Sequence, residues 1–221
     1  MIRLCCIAIG YLCGLFQTSY IIGRMYHTDI REHGSGNAGT TNALRTLGKK
    51  AGLLTLLGDL CKPMLAYLII YLLFHGSYPD LWKLLCMYGC AGAVLGHVFP
   101  FYLGFKGGKG IASIAGLGII FGNVPIILSC MLVFILVVAI TRYVSLSSIV
   151  MMLLFLIEVV VFGQLGWFPA LSGTSLYEWY GIVAVLVALT IYKHRENIKR
   201  LFAGNENKLS FSKNGGESCQ K

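Results

Sequence analysis

Charged residues are scarce in this chain. Only 12% of its 221 residues are Asp, Glu, Lys or Arg, about half of the roughly 25% that soluble domains carry. So few charges leave too little polar surface for a soluble globular protein of this size. The mean hydropathy of +0.74 also excludes a disordered or collagen-like chain. The composition therefore predicts a protein that crosses a membrane several times.

The usual arrangements of metal-binding and paired cysteines are also lacking. No Cys-x-x-Cys pair occurs, and the five histidines are scattered without the spacing of metal ligands. We therefore expect no structural zinc site. Most of the eight cysteines lie in or beside apolar runs, where they serve as packing residues.

Apolar runs, by contrast, occupy most of the chain. They cover residues 4–23, 51–74, 81–103, 111–122, 124–140, 149–167 and 179–193. A spanning helix needs about 20 apolar residues, so we predict an all-α, polytopic membrane protein of about seven spans. The run 111–122 covers only about 18 Å as a helix and is short or re-entrant; Asn123 and Pro125 mark a turn after it. A signal peptide is the alternative for the first run, but no small-residue cleavage site follows it, which favours a retained span.

Acidic residues are outnumbered, and the net charge is +9. If the amino terminus lies outside and the spans alternate, fifteen of the 18 Lys and Arg residues fall on one face. The positive-inside rule makes that face cytoplasmic. The excess charge then reflects topology, membrane lipids or a small anionic substrate, and nucleic acid is not an expected partner.

Three polar stretches on this face carry unusual patterns, and the first runs from residue 33 to 52. It satisfies Gly-x-Gly-x-x-Gly, but a membrane span precedes it where a Rossmann fold needs a strand. Glycines still let backbone amides approach an anion, and a following arginine suits phosphate. The alternative is a plain polar loop. The candidate anion-binding residues are Gly34, Ser35, Gly36, Asn37, Gly39, Thr41, Asn42 and Arg45.

The second stretch, residues 97–113, has a lysine-glycine turn that departs from a Walker A loop in spacing, so a nucleotide P-loop is not supported. It still forms a basic turn at a helix start, which is a general anion site. Its candidates are Lys106, Gly107, Gly108, Lys109 and Gly110. His97 at its start is expected to be structural.

The third stretch follows the last span, and on a helix His194 and Asn197 share one face. Its alternative is an ordinary juxtamembrane anchor on anionic lipid. Two charged residues within the second span, Asp59 and Lys62, are also functional candidates, although they could simply neutralise each other.

These motifs together resemble the acyl-phosphate-dependent glycerol-3-phosphate acyltransferases of bacterial membranes. The resemblance rests on GSGNAGTTN with LRTLGKKAG, HVFPFYLGFKGGKG and HRENIKRLFAGNEN, in this order. It implies a seven-span helical enzyme in the bacterial cytoplasmic membrane, with its active site facing the cytoplasm and no cofactor or metal. It also implies transfer of an acyl group from acyl phosphate to the 1-hydroxyl of glycerol 3-phosphate, which yields lysophosphatidic acid and phosphate, and a functional link to the acyltransferase that makes acyl phosphate.

The resemblance also implies roles for residues. Ser35 and its glycine-rich neighbours would hold the acyl phosphate. Arg45, Lys106 or Lys109, and Ser145 would bind substrate phosphate, and His194 and Asn197 would contact glycerol phosphate. Acyl phosphate is already activated, and the motifs contain no catalytic triad, so we predict direct transfer without an acyl-enzyme. The base is left open between His194, His97 and a substrate phosphate, whose second pKa near 6 would let it accept the proton. We favour the substrate phosphate because the rest of the design is electrostatic.

Two other classes compete with this interpretation. A membrane anion or phosphate transporter would place its site near the midplane and show internal repeats, whereas the polar motifs here fall at loops. A lipid-surface scaffold would need the basic residues but not the glycines. We also predict one transmembrane catalytic domain, residues 1–204, and a polar cytoplasmic tail, residues 205–221.

Overall fold

The computed structural model describes residues 1–121, 124–168, 171 and 173–209. Within these ranges all regular structure is helical, which confirms the all-α prediction. Short 3-10 turns lie at Ile30–Glu32 and Phe101–Leu103. The α-helices are α1 (Ile2–Gly14), α2 (Thr18–Met25), α3 (Thr40–Leu47), α4 (Lys49–Phe74), α5 (Trp82–Val98), α6 (Ile111–Ile120), α7 (Val124–Thr141), α8 (Val144–Gln164), α9 (Thr174–Lys193) and α10 (Arg195–Phe202).

Six helical stretches of the described chain are long and apolar enough to cross a membrane, and they confirm the multi-pass class. They are Ile2–Met25, Lys49–Phe74, Trp82–Leu103, Val124–Thr141, Val144–Gln164 and Thr174–Lys193. The remaining predicted run, 111–122, forms α6, whose 10 residues cover about 15 Å of a hydrocarbon layer about 30 Å thick. A count of seven therefore stays a prediction. The predicted turn residue Asn123 and the tail from residue 210 onward lie outside the described residues.

The first span is broken, whereas the sequence predicts an uninterrupted run. Gln17 leaves the helical conformation between α1 and α2. Its side chain is fully buried, and Nε2 donates to the carbonyl of His97 at 3.0 Å. Because a buried amide inside a membrane needs partners, this contact ties the break to α5.

Glycines bring α1 and α5 into close backbone contact. A Cβ at Gly10 would overlap the carbonyl oxygen of Gly89, and a Cβ at Gly92 would overlap that of Ile7. Small residues at such positions let membrane helices approach closely and gain van der Waals contact. The close packing helps to make the span that contains α5 the most buried of the six.

The main core lies among α5, α6, α8 and α9, where Val94, Ile114, Met152 and Val183 are almost fully buried. The α7 helix packs mainly on α8 and exposes most of its apolar side chains, as a lipid-facing helix does. A cleft remains between α7 and the rest of the bundle, and it positions the site.

Candidate active site

A cleft of about 440 Å³ opens among α3, α4, α6, α7 and α8. Its polar lining comes from the loops, the helix ends and two groups on α4 and α5: Ser35, Asn37, Thr40, Thr41, Asn42, Arg45, Asp59, His97, Lys109, Ser145, Ser148, His194, Asn197, Glu206 and Asn207. Its apolar lining comes mainly from α6, α7 and α8: Ile114, Ala115, Gly118, Ile119, Ile126, Ile127, Cys130, Met131, Phe134, Met151, Met152 and Phe155. Such a cleft suits a molecule with a polar head and a hydrocarbon tail.

The first polar stretch forms a loop that Asn42 holds together. Its buried side chain donates from Nδ2 to the carbonyls of Ile30 and His33, at 2.9 and 3.0 Å. Its Oδ1 accepts from the amide of Ser35 at 2.9 Å. Gly34 takes a left-handed conformation at φ +60°, where a Cβ would overlap Asn42. These contacts fix the backbone that presents Ser35 to the cleft.

Arg45 supplies positive charge at the cleft. It lies in the last turn of α3, and its side chain lines the cleft. In the part of the chain that the structure describes, no carboxylate or carbonyl accepts a hydrogen bond from its guanidinium. Arg31 differs, because its Nη2 forms an ion pair with Oδ2 of Asp29 at 2.7 Å. The guanidinium group of Arg45 is therefore available to bind an anion.

The second polar stretch brings one lysine to the cleft and turns the other away. Lys109 lines the cleft and donates to Oδ1 of Asn197. Burial, partly offset by the charge of Glu206, lowers the pKa of Lys109 to about 8. Lys106 is exposed and does not line the cleft.

The glycine turn packs against α5 instead of opening toward an anion. The amides of Gly107 and Gly108 donate to the carbonyls of Val98 and His97, at 3.3 and 3.1 Å. These glycines therefore do not line the cleft, and neither do Gly34 and Gly36. Gly110 caps α6 at φ +86° and does line it.

The third stretch delivers His194 and Asn197 to the cleft from the start of α10. Nδ1 of His194 donates to the carbonyl of Thr190 at 2.8 Å, which leaves Nε2 as the acceptor of a neutral ring. Burial, together with the nearby charge of Lys109, lowers the pKa of His194 to about 4. The imidazole is therefore neutral near pH 7.

Sequence reasoning missed Glu206, which joins α10 to α8 at the site. Its carboxylate accepts from Asn197 at 2.7 Å, from Arg200 at 2.8 Å and from Ser145 at 2.9 Å. Burial raises the pKa of Glu206, but these hydrogen bonds outweigh burial and lower it. This basic segment contains two acidic residues, Glu196 and Glu206, and the sequence alone does not mark Glu206 as the one at the site. Glu206 lies past the predicted domain boundary at 204, which stays a prediction.

Asp59 and Lys62, the charged pair in the second span, meet His97 at the lining of the cleft. Lys62 Nζ donates to Asp59 Oδ1 at 2.6 Å and to His97 Nδ1 at 2.9 Å. The hydroxyl of Thr18 also donates to Asp59, at 3.4 Å. The pair is therefore neutralised within the fold.

The cleft thus unites Ser35, Arg45, His194 and Asn197, the four predicted catalytic residues. Of the predicted binding residues it includes Asn37, Gly39, Thr41, Asn42, Lys109, Gly110 and Ser145. Thr40 lines it as well, although the sequence analysis did not single it out.

Comparison with known proteins gives a consistent result. The model of the family described as glycerol-3-phosphate acyltransferase matches residues 4–204. The chain is 44% identical to the glycerol-3-phosphate acyltransferase of Clostridioides difficile, over 93% of this chain and 94% of that protein. It is 42% identical to that of Alkaliphilus metalliredigens, over 95% and 97%.

Two solved structures are also similar. Both are crystal structures of PlsY, described as an integral membrane glycerol 3-phosphate acyltransferase, in a glycerol 3-phosphate form and a lysophosphatidic acid form. Their TM-scores are 0.77 and 0.75, at 32% identity over 94% of this chain.

Proposed function

Because the chain belongs to the glycerol-3-phosphate acyltransferase family, we propose that it transfers an acyl group from acyl phosphate to the 1-hydroxyl of glycerol 3-phosphate. The products are lysophosphatidic acid and inorganic phosphate. The cleft carries this proposal, since one continuous space joins a cationic, polar end to an apolar end.

The apolar end suits the acyl chain. Side chains of α6, α7 and α8 line it, and α7 and α8 are two of the six candidate spans. A hydrocarbon tail in this groove is removed from water, which contributes about 0.8 kcal/mol for each methylene. The head of the same molecule then lies at the polar end, beside Ser35 and Arg45.

The polar end suits two phosphorylated molecules. Arg45 and the Ser35 loop would bind the acyl phosphate. Lys109, His194 and Asn197 would bind glycerol 3-phosphate, with Ser145 beside them. Positive groups hold the two anions together against their repulsion and stabilise the departing phosphate.

The chemistry fits direct transfer. The substrate hydroxyl oxygen attacks the acyl carbon, the bond from that carbon to the phosphate oxygen breaks, and phosphate leaves with the electron pair. Among the described residues, no histidine or carboxylate hydrogen-bonds to the hydroxyl of Ser35, so nothing activates it as a nucleophile. With its low pKa, His194 is a weak base, which favours a substrate phosphate as the proton acceptor.

The topology is part of the proposal. The start of α6 and the start of α8 line the same polar end of the cleft, so α6 leads away from this end and α7 returns to it. With α6 counted as a short seventh crossing, the polar end lies on the cytoplasmic face and the amino terminus lies outside. The enzyme producing acyl phosphate would then deliver its product from the cytoplasmic side. A transporter is not favoured, because the relatives are named as acyltransferases.

Purified protein tests the proposal directly. With palmitoyl phosphate and glycerol 3-phosphate together, we expect release of phosphate and formation of lysophosphatidic acid, and we expect no turnover with palmitoyl-coenzyme A as donor. Arg45→Ala and Ser35→Ala should abolish turnover. Arg195→Ala is the matched control because Arg195 does not line the cleft. Full activity of Arg45→Ala would contradict the assigned site. Turnover with palmitoyl-coenzyme A but not with palmitoyl phosphate would contradict acyl phosphate as the donor.

A further inference from the structure

The mechanism above leaves the buried cluster of Asp59, Lys62 and His97 without a role. Their side chains are only 3% exposed. Burying charge in a membrane is costly, and ionisable groups there usually serve a function. Asp59 and His97 also line the polar end of the cleft.

Lys62 fixes the tautomer of His97. An ammonium group can only donate, so the 2.9 Å contact makes Nδ1 of His97 the acceptor. Oδ1 of Asp59 is 3.5 Å from the same nitrogen. This oxygen accepts a much shorter hydrogen bond, at 2.6 Å, from Lys62. The imidazole is then neutral, and its proton is on Nε2.

Nε2 is left without a partner at the cleft. No acceptor in the described part of the chain forms a hydrogen bond with it. A Cβ on Gly108 would overlap Nε2 and would lie 2.9 Å from the carbonyl oxygen of Ala38. The free edge of His97 therefore lies beside the Ser35 loop, where the proposed function places the acyl phosphate.

We propose that His97 donates its Nε2 hydrogen to an oxygen of the bound acyl phosphate, and that Lys62 and Asp59 are positioning residues which hold it in that tautomer. This inference rests on the proposed function. Negative charge grows on the carbonyl oxygen and on the leaving phosphate during transfer, and a fixed donor stabilises it without reorganisation. The Lys62 ammonium offsets the charge of Asp59, so the carboxylate does not repel the substrate.

Kinetics of two His97 variants test the donor. Removing one such donor typically lowers turnover by about 10²-fold, so His97→Leu should lower kcat/KM for acyl phosphate by that factor. His97→Gln, which keeps an N–H near the same place, should recover most of the loss, and KM for glycerol 3-phosphate should stay near the wild-type value. His75→Leu is the control because His75 lies at the far end of α4. A folded His97→Leu protein with wild-type kcat/KM would overturn the inference.

The tautomer is measured independently of activity. Nitrogen-15 NMR of histidine-labelled protein in bilayers should show His97 protonated at Nε2, with the signal assigned by its loss in His97→Gln. In Asp59→Leu/Lys62→Met, which removes both charges together, the signal should become a mixture of tautomers, with kcat reduced. A proton on Nδ1 in the wild type would overturn the inference, even if the variants fail to fold.

The same experiments separate this inference from the proposed function. A wild-type protein that does not turn over acyl phosphate would contradict both the proposed function and the role of His97. An active wild type whose His97→Leu variant is equally active would remove only the role of His97.

Discussion

Glu206 is a buried carboxylate that touches Asn197 and Arg200 of α10 and Ser145 of α8, so it joins two helices. Asn197 in turn accepts from Lys109, so the carboxylate sets the direction of the amide. Glu206→Gln removes the negative charge and replaces one acceptor oxygen with an NH2 donor, so at least one of these hydrogen bonds is lost and the others weaken. We expect kcat/KM for glycerol 3-phosphate to fall by at least about tenfold, which corresponds to about 1.4 kcal/mol.

Glu196→Gln is the matched control for this prediction. Glu196 is exposed, and its ion pair with Lys199 spans 3.2 Å at the surface. Surface pairs of this kind contribute little, so its steady-state kinetics should match the wild type. Equal effects of the two substitutions would show that Glu206 does not organise the site.

Lys109 should give the enzyme a pH dependence above neutrality. Its pKa of about 8 lies below the ordinary value, so its positive charge is present below pH 8 and is lost as the pH rises through 8. We expect KM for glycerol 3-phosphate to increase over this range, since the second ionisation of the phosphate, near pH 6, is already complete.

Lys109→Arg checks the origin of that pH dependence. Arginine keeps its charge to above pH 12, so the increase in KM near pH 8 should disappear even if the substitution raises KM at all pH values. An unchanged pH profile in Lys109→Arg would assign the ionisation to another group.

The site residues that the sequence predicted are those whose side chains have an evident chemical role, such as a hydroxyl, a guanidinium, an imidazole or an amide. Ser35, Arg45, His194 and Asn197 lie in glycine-rich or polar segments that follow or precede apolar runs, and all four line the cleft. The direction of a side chain within a turn is harder to predict. Lys106 and Lys109 are three residues apart, yet only Lys109 lines the cleft. Between them the amides of Gly107 and Gly108 donate to carbonyls of α5, and this tertiary contact is not visible in the sequence.

At the scale of elements, α5, the helix that carries His97, packs closely on α1. Gly92 faces the carbonyl of Ile7 without room for a Cβ. Gly92→Ala should push the helices apart and cost about 1–3 kcal/mol, as overpacking does. We expect a lower midpoint of thermal unfolding in detergent, followed by intrinsic fluorescence.

Gly181→Ala is the control for Gly92→Ala. Gly181 lies in α9, and a Cβ there meets nothing within 4 Å. The same methyl group should therefore leave the midpoint unchanged or raise it, because alanine is the better helix former. A midpoint for Gly92→Ala equal to that of Gly181→Ala would contradict close packing of α1 on α5.

Apolar runs predicted the long helices because a spanning segment requires both length and low polarity. They did not predict the break at Gln17, whose amide makes its shortest hydrogen bond to the carbonyl of His97, which is distant in sequence. The α6 helix shows the same limit. Its 10 residues match the short run in the sequence, but its place in the fold depends on packing against α4.

At the scale of the whole molecule, the cleft crosses from the loops into the helical core. Phe155, Gly118 and Ile126 line its apolar end and also line a second, small cavity beyond it, of about 20 Å³. Phe121, Phe168 and Trp179 line the far side of that cavity. If an acyl chain extends along the cleft, these aromatic rings stand in its path. We therefore expect the length of the chain to be limited where α6, α8 and α9 meet.

Phe155→Ala should join the two cavities and extend the acyl groove. A methylene accommodated in an apolar pocket contributes about 1 kcal/mol or more to discrimination, so the ratio of kcat/KM for stearoyl phosphate to that for myristoyl phosphate should rise at least about tenfold. Leu153→Ala is the control, because Leu153 lies on the same helix but is 45% exposed on the lipid-facing surface. An unchanged ratio in folded, active Phe155→Ala would mean that the acyl chain leaves the cleft before reaching Phe155, between α7 and its neighbours.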